Sequence, residues 1–178
     1  DQIWLEVNGG KGTHAQLKKL QGYPPYYSFD YAHCHFVVMN SAQIPRDHGR
    51  IDGPQMDWIS QDLKKNKDKL SLFFAHHLVL PVDFGEPIAA INNADVLLGV
   101  AQPYPKARWF FSGHLHGNQA WQYGEFQQVL TTSIAPWAHS HDSVTGYRLV
   151  TVKGNSFSSK VKVLGGEWLQ DVKMEDHQ

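Results

Sequence analysis

Two apolar runs in this chain stop abruptly in imidazoles. One is Phe73-Phe74-Ala75-His76-His77 and the other is Trp109-Phe110-Phe111-Ser112-Gly113-His114-Leu115-His116-Gly117. Each run has β character and no polar face, which reads as a strand buried on both sides. A rigid strand that ends in a loop of nitrogen donors fixes those donors in space. The two loops are therefore read together as one metal-centred site, or as what remains of one.

Composition narrows what such a site can serve. The chain has 178 residues, enough for about one domain, with 42% hydrophobic and 19% charged residues. A net charge of -1 gives no electrostatic case for nucleic acid, and no basic block points to a membrane surface. Cys34 is the single cysteine, which excludes an internal disulfide framework and a thiolate cluster. No apolar run reaches the roughly 20 residues that span a bilayer. No secretory leader pattern is seen, so a cytoplasmic or a mature secreted protein is equally expected. The 11 histidines include the close pairs His33/His35, His76/His77, His114/His116 and His139/His141. Of these, His33 and His35 read as simple strand alternation.

Ile3–Val7 reads as a short strand, Asn8 to Gly12 as a turn and Ala15–Leu20 as a brief helix. Strands are expected at Tyr26–Asp30 and His35–Met39. Pro54–Asn66 has the clearest helical pattern, with Asp52 just ahead, Pro54 in the first turn and Met56, Ile59 and Leu63 on one stripe. Leu70–Ala75 is a strand that delivers His76 and His77. Ile88–Val100 has helical spacing interrupted by Asn92-Asn93. Ala107–Ser112 is the strand that delivers His114 and His116. Strands then follow near 120–123, 127–131, 147–153 and 156–164. The order predicts an α/β sandwich with mixed sheets, in which the all-β finish forms a second sheet. Residues 1–164 are expected to form one domain and 165–178 a polar C-terminal tail that Trp168 anchors.

Neutral imidazole suits Zn, Mn, Fe or Ni, so one or two divalent or trivalent transition ions are the expected cofactor. Such an ion activates water and polarises a phosphoryl or acyl oxygen. His77, beside His76, is the first candidate proton donor, followed by His139 and His141.

These motifs resemble the calcineurin-like metallophosphoesterases. The resemblance rests on apolar-Ala-His-His ahead of Gly-His-Leu-His. It also rests on Tyr26 to Asp30 with His35 to Ser41, and on Gln55 to Ile59 with Asp62-Leu63, and it runs from about Ile3 to Leu164. It implies a partial or truncated αββα sandwich, with His76 and His114 as ligands of one ion and His116 of a second. It also implies a small phosphate ester as substrate, attacked by metal-activated water. The family's Asp-x-His and Gly-Asp motifs have no match here. Gly10 and Lys11 stand where a Gly-Asn-His motif is expected, and Asn8 or His14 are the substitutes at hand. Hydrolysis is accordingly expected to be weak. The alternatives are a non-catalytic remnant and a metal-bridged or homo-oligomeric interaction module, the latter because a half-sandwich exposes a sheet edge. A separate N-terminal half is the other expected partner.

Overall fold

A computed structural model describes residues 25–42, 48–80, 90–134, 145–154 and 156–174. The readings at Ile3–Val7, Ala15–Leu20, His139 and His141 lie outside these residues. Six strands form the main sheet: β1 Tyr27–Tyr31, β2 Cys34–Val38, β3 Leu70–Ala75, β4 Trp109–Ser112, β5 Gln119–Tyr123 and β6 Phe126–Leu130. Their spatial order is β1-β2-β3-β4-β6-β5. The four inner strands run parallel, and β1 and β5 are antiparallel edges. A second, antiparallel sheet holds β7 Gly146–Lys153, β8 Ser156–Val163 and β9 Trp168–Met174. Two helices, α1 Gly53–Lys65 and α2 Ala94–Ala101, complete the described fold.

Strand periodicity sorts the apolar side chains into two cores. Val37, Phe73 and Phe110 point toward the helices and pack with Ile59, Leu63 and Leu97. Leu72, Trp109, Phe111 and Val129 point the other way and meet Phe157, Val150 and Val152 of the second sheet. Trp109 and Phe157 lie 4.3 Å apart between ring centroids, so the sheets are in direct contact there. The described layers are thus helix, sheet, sheet. This is the mixed α/β arrangement that the sequence predicts.

Helix α1 starts where expected because Asp52 Oδ1 accepts from Gln55 N–H at 2.9 Å and Pro54 occupies the first turn. Losing such a cap costs about 1 kcal/mol. Lys64 and Lys65 occupy the last turn, where cations favour the helix dipole.

Three boundaries differ from expectation. Helix α2 begins at Ala94 because the Asn93 amide is engaged elsewhere: its Nδ2 donates to Ile51 O at 2.7 Å and its Oδ1 accepts from Ile51 N–H at 3.1 Å. Strands β5 and β6 join the first sheet, since β6 pairs in parallel with β4 from Trp109–Gln127 to Ser112–Leu130. Among the described residues only β7 to β9 make the second sheet. Strand β9 falls in the expected tail, and Trp168 at its start sits under Lys160 and Lys162 at 4.3 and 5.5 Å from its ring. Cation–π attraction and backbone pairing to β8 account for a strand in a segment of polar composition. Among the described residues no helix is long and apolar enough to cross a membrane.

Candidate metal centre

Strands β3 and β4 are parallel neighbours that end level, with Ala75 opposite Ser112. His76 and Gly113 therefore leave the sheet side by side, and Gly113 N–H donates to His76 O at 3.1 Å. The chain turns sharply just beyond: His114 and His116 have φ of 68° and 53°, a left-handed conformation unusual for side chains of this size. Backbone held in such a state is characteristic of loops whose shape serves a purpose.

This turn gathers His76, His77 and His114. His76 Nε2 lies 3.0 Å from His114 Nδ1. The three rings sit 4.7 to 4.9 Å apart between centroids. One nitrogen from each lies within 4.8 Å of the others. Two imidazole nitrogens bound to one ion at about 2.0–2.1 Å stand roughly 3.0–3.4 Å apart, so the His76–His114 spacing fits a shared ion. The protonation state fits too. Burial, then repulsion from His76, His114 and His48, pushes the His77 imidazole down to about 4, so it is neutral near neutral pH.

His77 is held from three directions. Its ring Nδ1 is 2.9 Å from Ser41 Oγ, and its backbone N–H donates to the same oxygen at 3.2 Å. Its ring lies close against Gly49: a Cβ there would come within 2.7 Å of the ring. Downstream, the buried Gln128 side chain accepts from Val79 and Leu80 N–H at 2.9 and 3.2 Å. The same amide donates to Ser112 Oγ at 2.6 Å. One side chain on β6 thus ties the chain beyond His77 to the end of β4.

Beside His76 lies a cavity of about 450 Å³ between the two sheets. Phe74, Phe111 and Val150 supply apolar walls, and Thr131, Thr132 and Arg148 supply polar ones. Arg148 donates to Ser159 Oγ at 2.8 Å, Leu130 O at 3.0 Å and Thr131 Oγ1 at 3.3 Å, and also to Asn118 Oδ1. Burial lowers its pKa to about 10, which leaves it cationic at neutral pH.

Of the residues singled out in the sequence, His76, His77 and His114 come together. His116 lies on the same loop but outside that group, and its carbonyl accepts from Thr132 Oγ1 at 3.3 Å. Asn8, His14, His139 and His141 lie outside the described residues. His33 and His35 sit at the opposite end of the sheet, where His33 Nε2 donates to Gly154 O at 2.8 Å. Ser41, Gly49, Gln128 and Arg148 were not anticipated. Ser41 ends a stretch that carries the family resemblance, and Gln128 is an amide on the inward side of an apolar strand.

No family model matches the chain. It is 26% identical over 90 residues to a 3′,5′-cyclic-nucleotide phosphodiesterase from Nostoc sp., a match covering 50% of this chain and 34% of that protein. Its fold superposes on a dimetal phosphatase from Danio rerio with a TM-score of 0.66 at 14% identity, covering 85% of this chain and 60% of that one. The chain thus spans about a third of the curated relative and three fifths of the solved one. It has an α/β fold similar to that of a dimetal phosphatase, with a histidine cluster at the ends of two parallel strands. Within that fold class the chain resembles the calcineurin-like phosphoesterases.

Proposed function

We propose that this chain is a metal-dependent phosphoric ester hydrolase centred on His76 and His114. The observation that carries the reading is the 3.0 Å approach of their ring nitrogens at the ends of neighbouring strands, on a phosphoesterase-like fold. A bound divalent or trivalent transition ion supplies Lewis acidity and a more acidic water there. His116, presented by the same loop, is the proposed ligand for a second ion. We place His77 as the third imidazole of the cluster, and not as the proton donor expected from the sequence. A donor must reach the leaving group, whereas His77 is buried at 3% exposure and bonded to Ser41.

The cavity beside His76 suits a small organic phosphate. The Arg148 guanidinium brings positive charge for the anion, and Phe74, Phe111 and Val150 give an apolar wall for the organic group. Ser41 and Gly49 orient the His77 imidazole, and Gln128 keeps the two histidine loops in register. Of the candidate donors His77 is buried, and His139 and His141 lie outside the described residues; lack of a donor at the leaving group lowers turnover by about 10²–10⁴. Activated aryl esters, whose leaving groups need no proton, are therefore the expected substrates.

The test is hydrolysis of aryl phosphate mono- and diesters by the full chain with Zn, Mn, Fe or Ni added singly. Metal-dependent turnover that disappears in His76→Ala and His114→Ala supports the proposal. Turnover unchanged in both variants would refute it.

A further inference from the structure

Strand β1 is an edge of the main sheet, and its outer side has no neighbour among the described residues. It also carries an aromatic stripe. Tyr27, Phe29 and Tyr31 share one face and are 48%, 49% and 76% exposed. The stripe continues a ladder of stacked rings across the sheet, Phe29–Phe36 at 4.8 Å, Phe36–Phe74 at 6.1 Å and Phe74–Phe111 at 5.0 Å. The ladder is covered by the second sheet at Phe111 and is half open at Phe29. Folded proteins protect edge strands with lysine, proline, a bulge or a cover. Tyr27-Ser28-Phe29-Asp30-Tyr31 has no lysine or proline, its one charge, Asp30, is bonded to Lys69 and His35, and its register to β2 is unbroken.

The edge is complementary to itself. The hairpin closes on the pair Tyr31–Cys34 around two residues, so Tyr31 and Phe29 turn their backbone groups toward β2. The amide and carbonyl groups of Ser28 and Asp30 then point outward. Two such edges placed antiparallel about Phe29 set Tyr27 against the partner's Tyr31 and Phe29 against the partner's Phe29. Ser28 faces the partner's Asp30, so no like charges meet. Each Asp30 is moreover bonded to its own Lys69 at 2.6 Å. Aromatic pairs directly opposite across antiparallel strands are stabilising.

We propose that two copies of this chain pair antiparallel along β1, with Phe29 on the two-fold axis. The partner that the surface fits is a second copy, joined by backbone bonds from Ser28 and Asp30 and by aromatic contact. The contact is short, so the dimer is concentration-dependent and weak by the standard of larger interfaces.

The experiment is light scattering and sedimentation of the full chain from micromolar to millimolar concentration, with and without a chelator. The expected mass doubles across that range and does so equally with chelator present. Ser28→Lys, an edge lysine that would deter other strands but in this register meets the partner's Asp30, tightens the dimer several-fold. Ser28→Asp, which sets acid against acid, loosens it about tenfold or more. Misfolding cannot produce opposite shifts at one position, so the pair of variants reads the register itself. Phe29→Asp places two carboxylates on the axis and abolishes the dimer. A chain that stays monomeric throughout overturns the proposal. So does a dimer that needs metal, or one on which Ser28→Lys and Ser28→Asp act in the same direction.

Discussion

The main sheet ends in histidines on both sides, and the two ends use them oppositely. At one end His76, His77 and His114 crowd one another, with rings under 5 Å apart and no carboxylate in their group. At the other, His35 is buried and each ring nitrogen is 2.8 Å from a carboxylate, Asp30 on β1 and Asp62 on α1. Asn66 and Lys69 close that second cluster. A histidine bracketed by carboxylates spends its nitrogens on holding strand to helix. Histidines gathered at one place bring a nitrogen from each within 4.8 Å of the others, an arrangement that gains stability when a cation occupies it. Residue type therefore says little here, and the neighbours decide the role.

The contrast can be broken by exchanging the expected phenotypes. The largest effect is expected from His114→Ala, which removes metal-dependent ester turnover by at least about a hundredfold while leaving urea unfolding nearly unchanged. His35→Ala should do the reverse: it removes a buried imidazole and leaves the mostly buried Asp62 carboxylate without that partner, which costs about 1–3 kcal/mol in urea unfolding, with metal uptake intact. If His35→Ala loses metal, or His114→Ala loses several kcal/mol, the two ends are not functionally distinct.

Smaller changes sharpen the same contrast. Ser41→Ala releases the His77 ring and should weaken metal affinity by about 10–100-fold. Gly49→Ala drives a methyl to within 2.7 Å of that ring and should act in the same direction. Titration calorimetry with Zn or Mn reads both.

The smallest expected effect is a pH dependence at the other end. The hydrogen bond from Lys69, and then that from His35, hold the Asp30 carboxyl below its usual 3.8. A depressed carboxyl contributes stability that is present above 3.8 and lost as pH falls through the lower folded value. Acid unfolding of Asp30→Asn should therefore be flatter below about pH 4 than that of the parent chain. Equal slopes would remove this linkage.

Much of this fold was legible because local chemistry set it. The continuous apolar runs of β3 and β4 and the cap, proline and stripe of α1 needed no distant partner. What escaped depended on distance. The start of α2 is set by Asn93 reaching Ile51, 42 residues away. Placement of β6 beside β4 is a choice of neighbour that alternation cannot encode. His76 and His114 could be read because each follows an apolar strand. Ser41 could not, since its bond to His77 crosses 36 residues. His33 and His35 look alike in sequence, yet one lies in a turn and the other in the core.

The most direct test is the number of metal ions bound per chain. It is measured by elemental analysis after equilibration with Zn or Mn and removal of loose ions, on the chain and on the His76→Ala/His114→Ala double variant. One or two ions per chain, falling to background in the variant, is the predicted result. Equal metal in both, or none above background in either, would contradict the assignment of this cluster as a metal centre.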